Sequence, residues 1–363
     1  MTRKHNFYAG PAVLPVWAVE KAQSALMEYM DSGVGITEMS HRTTYFDDIL
    51  NGAIASVKKL YKLSDDYHVL FVQGGASMVM AISALNFCRE GKKSQFVDTG
   101  TWSRRAILES SRTSAVTDVI WSGKDVNYSH LPDIDSLQFD DDASFVHITS
   151  NNTIAGTQYK KFPSTKAPLF VDMSSDFFSR PVDASQFSLI YGGLQKNLGP
   201  AGAAMVIVHK DMLEKIPQGL SEMLDLGVYA KKNSIYNTPP VFTIFVTHLV
   251  LRWIDEVIGG LENMHNHNLK KAAYIYDAID ESNGFYSGAV DVKDDRSLMN
   301  ITFKCKNEEL DKLFLKETTA LGFMGLKGHR SVGGLRASTY NSCPMESANA
   351  LGSFMTDFAK KHG

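Results

Sequence analysis

The sequence has few cysteines, no long apolar run and no surplus of charge of either sign. Cys88, Cys305 and Cys343 are odd in number, far apart and in no CxxC pair. That excludes a disulfide framework and a cysteine-based metal site, and it predicts a reducing compartment. With no run of about eighteen apolar residues, no membrane span is expected. The opening "MTRKHNFYAGPAVLP" also lacks the apolar centre of a signal peptide. We therefore expect a cytoplasmic protein. A net charge of −3 and a pI of about 6.4 give no global positive field to attract nucleic acid or an anionic membrane. Any phosphate bound here has to be held by local groups. Internal repeats and low-complexity tracts are missing too.

What is present looks globular: 44% hydrophobic and 21% charged residues over a length of 363, which suits a larger and a smaller domain. Helical apolar spacing marks 16–30 and 44–61. From there, short β-rich runs at 68–72, 94–98, 145–149, 168–172, 187–192 and 203–208 show little polar alternation. The first two are each followed by a helix-like stretch, 77–88 and 101–112. Strands apolar on both faces and interleaved with helices predict a mainly parallel sheet covered on both sides. After Pro239-Pro240 the pattern changes. Two long helices, 241–258 and 261–280, precede a strand at 298–304, a helix at 308–321, a strand-like 333–338 and a last helix at 345–361. That reads as a smaller α+β unit. We expect a large domain over 16–255 and a small domain formed by 1–15 and 256–363.

In open α/β sheets ligands gather beyond the carboxyl ends of the strands, so the residues after each run carry the chemistry. Gly74-Gly75-Ala76-Ser77 joins a strand to a helix, where backbone amides attract an anion; an ordinary capped turn has the same composition. Asp172 ends a buried strand and needs a partner, either a helix cap, a structural cation or a cationic ring nitrogen. One strand later Lys196 lies in "YGGLQKNLGPAG" with almost no charge nearby. Most lysines are solvated, but a desolvated amine loses its proton more readily and can form a Schiff base with an aldehyde. The glycines around it read as clearance for a cofactor. Trp102 fits core packing or a face stacked on a ring. His41-Arg42, His329-Arg330 and Arg336 are donors suited to a small dianionic ligand, although exposed arginines often form rim ion pairs. His265 and His267 face different ways on a helix and make a poor metal pair; Asp140-Asp141-Asp142 reads as a solvated loop. No metal site is expected.

Taken in order, "NFYAGPAVLP", "MSHR", "GGAS", "GTW", "NNTIAGTQ", "VDMSSD", "GGLQKNLGPAG", "NTPP", "KGHR" and "GGLRASTYN" span the chain. In these ten blocks the sequence resembles the phosphoserine aminotransferase family, within the class V, fold-type I enzymes that depend on pyridoxal 5′-phosphate. The resemblance implies that Lys196 carries the cofactor, Asp172 pairs with its ring nitrogen, Trp102 stacks on the ring and Thr153 bonds near its phenolic oxygen. Ala76, Ser77 and Gln195 would hold its phosphate, with Asn237 and Thr238 arriving from the second subunit of a homodimer whose active sites lie at the interface. Arg336 would take the substrate α-carboxylate, and His41, Arg42, His329 and Arg330 the substrate phosphate. Some members carry arginine at the place of Ser77, and "GGAS" also occurs among them.

The activity so implied is amino transfer from L-glutamate to 3-phosphonooxypyruvate, giving O-phospho-L-serine and 2-oxoglutarate in serine biosynthesis. It leaves open the longer phosphorylated hydroxythreonine substrate of pyridoxine synthesis. Three rivals stand beside it. A small-amino-acid:glyoxylate aminotransferase of the same fold would have no use for two His-Arg pairs. A cysteine desulfurase needs a cysteine on a mobile loop, which this chain does not offer. A catalytically silent α/β binding protein would be colourless.

Overall fold

The computed structural model describes residues 3–363. The first part of the chain runs β1 (His5–Asn6), α1 (Val16–Met27), α2 (Thr44–Tyr61), β2 (Tyr67–Gln73), α3 (Ala76–Phe87), β3 (Lys93–Asp98), α4 (Thr101–Ser110) and β4 (Val116–Ser122). Next come β5 (Phe145–Thr149), β6 (Leu169–Asp172), β7 (Leu189–Gly193), β8 (Ala203–His209), α5 (Lys210–Leu213), α6 (Leu226–Lys231) and α7 (Val241–Arg252). The last part is α8 (Leu261–Asp280), β9 (Tyr286–Gly288), β10 (Asn300–Cys305), α9 (Glu308–Ala320), β11 (Phe323–Met324), β12 (Leu335–Ser338) and α10 (Met345–His362). Among the described residues no helix is long and apolar enough to cross a membrane.

Seven strands form the main sheet in the order β2-β8-β7-β6-β5-β3-β4. All run parallel except β8, which is antiparallel to both β2 and β7. The central strands β5, β6 and β7 are buried along their whole length. Their continuous apolar character follows from cover on both faces: one apolar cluster holds Phe46, Leu50 and Ile190, and another holds Phe87, Phe170 and Tyr191. Helix α2 shows why the local sequence folds as it does. Thr43 caps it by accepting from the Phe46 amide, Asp47 lies in its first turn and Lys58-Lys59 in its last, matching the helix dipole at both ends.

The predicted helix 241–258 is α-helical only to Arg252, then widens into a π-helical turn at Trp253–Val257 before Gly259 and Gly260 end it. The first predicted helix stops at Met27 rather than residue 30. Strand β4 was not legible in the sequence. It is an edge strand, only half-buried, and its "VTDVIWS" mixes polar and apolar residues.

A third apolar cluster packs Phe7 and Val13 of the amino-terminal arm with Ile275, Phe303, Phe314 and Phe358. Strand β1 pairs in parallel with β11, and β12-β10-β9 form an antiparallel sheet. On this packing we propose the division expected from sequence, 16–255 against 256–363 together with the described arm, 3–15.

Candidate active site

The parallel strands deliver their carboxyl ends to one edge of the sheet. Asp172 is the last residue of β6, in register with Tyr191 of β7. Strand β7 then turns into β8 through a loop in which the Leu198 and Gly199 amides both donate to the Leu194 carbonyl, at 3.1 and 2.8 Å. Lys196 sits in that turn. Two of the glycines around it, Gly192 and Gly199, are held to glycine by the protein's own packing. A Cβ on Gly192 would lie 2.7 Å from the Phe177 ring, and one on Gly199 would lie 2.6 Å from Thr247 Oγ1.

Lys196 is 8% exposed. Its Nζ donates to Thr153 Oγ1 at 2.7 Å and lies 5.5 Å from the centroid of the Trp102 ring. Burial pushes the amine down to about 8; the charge of Asp172 opposes that shift and the charge of Arg336 adds to it. Burial also raises the Asp172 carboxyl, against hydrogen bonds from Ser174 and the charge of Lys196. Asp172 Oδ1 accepts from the Ser174 amide at 2.9 Å and from its hydroxyl at 2.6 Å. Among the described residues no group donates to Oδ2.

Thr153 links the turn that carries Lys196 to β12. Its hydroxyl takes the lysine, and its carbonyl accepts from Arg336 Nη1 of β12 at 3.2 Å. Trp102, in the first turn of α4, leaves its buried Nε1 without a partner, and so does Arg336 at Nε. A buried donor left unpaired is costly, and both of these lie among the groups around Lys196. Beside it, Gly74 adopts φ +98°, a conformation suited to glycine, and turns β2 into α3. No side chain caps α3, so the amides near Ala76 and Ser77 are open to an anion. Gln195 is half-buried, next to Lys196.

The remaining candidates fall elsewhere in the chain. His41, Arg42, Asn237 and Thr238 line a separate cavity of about 440 Å³ with Asp47 and Tyr236. The Thr238 carbonyl accepts from Gln73 Nε2 at 2.5 Å, which ties this group to the strand leading into α3. His329 and Arg330 lie on the loop before β12. The His329 ring meets Ser331 Oγ at 2.7 Å, and burial, then Arg336 and Arg330, lowers its proton affinity. Arg330 is exposed.

Sequence reasoning missed Ser174, although an Asp followed two residues later by Ser is a readable side-chain turn. It also missed Arg104, Lys124 and Tyr128, which line a cavity of about 560 Å³ beside Trp102 and Val332. They come from separate segments with no shared motif.

A lysine made less basic by burial, a carboxylate one strand away and an arginine from the second unit define a class of enzyme that handles amines. The model of the family described as aminotransferase class-V matches residues 5–351, and the chain belongs to it. Within that class it belongs to the phosphoserine aminotransferase family. It is 48% identical to phosphoserine aminotransferase of Geobacillus kaustophilus over 361 residues, covering 99% of each chain. A solved phosphoserine aminotransferase from Bacillus circulans subsp. alkalophilus superposes with a TM-score of 0.96 at 49% identity, 99% of each chain covered. The PLP-bound enzyme from Trichomonas vaginalis gives 0.91 at 35% identity, covering 97% of this chain and 99% of its own.

Proposed function

We propose that this chain is a pyridoxal 5′-phosphate-dependent aminotransferase that moves the amino group of L-glutamate to 3-phosphonooxypyruvate, giving O-phospho-L-serine and 2-oxoglutarate. The observation that carries the reading is the buried Lys196 amine, held by Thr153 beside the Trp102 ring with Asp172 and Arg336 in electrostatic reach. These residues fit the cofactor. The Trp102 ring beside Lys196 offers a stacking face, Asp172 Oδ2 a free acceptor, and the uncapped start of α3 open amides, which are what a phosphorylated pyridine aldehyde requires. Lys196, Asp172, Trp102 and Thr153, with Ala76, Ser77 and Gln195 at its phosphate, would hold it.

When bound, the cofactor supplies an aldehyde for the amine and a ring that accepts the electron pair released at the substrate Cα. The protein does the rest. Lys196 Nζ, able to shed its charge near neutral pH, would take the proton from Cα as general base and, as general acid, pass it to the former aldehyde carbon rather than back to Cα. Asp172 sets a buried negative charge opposite a cationic ring nitrogen. Arg336 grips the α-carboxylate with a planar fork and so fixes which Cα bond faces Lys196. A glutamate γ-carboxylate and a serine phosphate reach a similar distance from Cα, so one basic pocket serves both.

We also propose a homodimer in which His41, Arg42, Asn237 and Thr238 complete the partner's site together with His329 and Arg330. Its support is the separation of these residues into a cavity of their own. Three free thiols, two of them buried, suit a cytoplasmic setting.

The deciding experiment is steady-state amino transfer from glutamate to 3-phosphonooxypyruvate and to glyoxylate, with Lys196→Ala as the blank. The phosphorylated acceptor should be preferred by at least about a hundredfold, given unpaired cations facing glyoxylate, and Lys196→Ala should be colourless. Equal rates with both acceptors would overturn the assignment.

A further inference from the structure

Away from Lys196, a cavity of about 430 Å³ opens between the amino-terminal arm, α8 and the turn leading into α10. Its basic side chains are Arg3, Lys4, His5, His267 and Lys271, and no carboxylate side chain lines it among the described residues. Arg3 bonds only weakly, to the Leu14 carbonyl at 3.5 Å. His267 spends Nδ1 on the Asn263 carbonyl at 2.8 Å, which leaves Nε2 free.

Lys271 is 1% exposed. It donates to the carbonyls of Tyr340 and Asn341, at 2.6 and 3.0 Å, so a protonated amine keeps a third N–H unspent. A buried ammonium with no counter-charge is costly. Two more groups suit an anion. Ser342, 8% exposed, lines the cavity with its Oγ unpartnered. The eighteen-residue helix α10 begins here at Pro344 without a side-chain cap, which leaves its first amides open. The lining also includes the apolar side chains of Trp17, Trp253 and Met264, and the two tryptophans offer flat indole rings.

We propose that this cavity is a second ligand site, separate from the substrate pocket, for a small organic anion with a flat apolar body, such as an aromatic carboxylate. The anionic head meets Lys271, His267, Arg3 and Ser342, and the body lies against the two tryptophans. The location gives such a ligand a route to the active site. The arm's Ala12 amide donates to the Gln195 carbonyl at 2.9 Å, and the Asn341 amide donates to Asn197 Oδ1 at 3.0 Å. Tyr340 Oη donates to the Ala9 carbonyl at 2.8 Å, joining the same two walls. Both walls of the cavity therefore brace the turn that carries Lys196.

The test is calorimetric titration of benzoate, with inorganic phosphate as the comparison, into the cofactor-loaded protein, into Arg3→Ala/His267→Ala and into Arg336→Lys. Both changed residues of the double variant are surface groups outside the catalytic cleft, so folding is not at stake. Benzoate should bind more tightly than phosphate, and its affinity should fall about tenfold or more in the double variant. It should be unchanged at this site in Arg336→Lys. The proposal is overturned if benzoate does not bind, or if its binding is lost in Arg336→Lys and untouched in the double variant. Turnover plays no part in this readout, so its failure leaves the aminotransferase reading standing, and the reverse also holds.

Discussion

Lys196 and Asp172 shape each other's charge without forming an ion pair, and each is shifted chiefly by burial. Replacing Asp172 by Asn keeps an acceptor for Ser174 while removing the negative charge. We expect kcat to fall at least about a hundredfold with little change in the KM for glutamate, and the yellow colour to remain. Steady-state kinetics beside an absorption spectrum check this. Lys271 allows a second prediction at the same scale. Burial holds its amine at about 8, against the usual 10.5. Between those pH values the unfolded chain binds more protons than the folded one, so this group makes stability rise with pH. The full penalty, about 3 kcal/mol, is present below pH 8. Lys271→Met should flatten the rise between pH 8 and 10.5 in denaturant-unfolding curves. An unchanged slope would show that the lysine is not desolvated in solution.

Among the elements, β7 leaves no room for a side chain at Gly192. Gly192 lies in register with Met205 of β8 and backs onto Phe177 and the Ser174 Cα, which a Cβ would approach to 2.7 and 3.0 Å. Gly192→Ala should cost about 1–3 kcal/mol through overpacking, seen as a lower denaturation midpoint at unchanged m-value. This contact was invisible in the sequence, where the glycines pointed to a ligand, because residues 173–178 meet β7 only in the folded sheet. The strands themselves were legible. Runs such as "FVHIT" and "PLFVD" carry both-face burial in their composition, and helix α2 carries both its ends in Thr43 and Lys58-Lys59. Edge strand β4 was not, because a half-wet strand has no continuous apolar signal. Asp172 and Lys196 could be paired from spacing, since adjacent parallel strands end at one edge. Ties that cross between units, such as the arginine of β12 to the Thr153 carbonyl, have no local trace.

For the whole molecule, the proposed dimer accounts for His41 and Arg42 lying in a cavity that Lys196 does not line. If His41, Arg42, Asn237 and Thr238 act in the partner's site, two defective chains can repair each other. A chain with Lys196→Ala lends its intact Arg42 to a partner carrying Arg42→Ala and an intact Lys196. Refolding the two together should recover up to about a quarter of wild-type activity, from the one sound site in each hybrid dimer. Recovery of none, with hybrids present by native mass spectrometry, would place Arg42 in its own chain's site. The reversed strand β8 has a consequence of its own. Because it returns antiparallel beside β7, Lys196 lies in the turn of a hairpin whose two strands are both interior to the main sheet, second and third in its order. No fraying edge or mobile loop can carry that turn away; it leaves its place only when the sheet comes apart. Bleaching of the bound chromophore during denaturation is therefore a clock for collapse of the sheet, and amide deuteration on β7 and β8 keeps the same time.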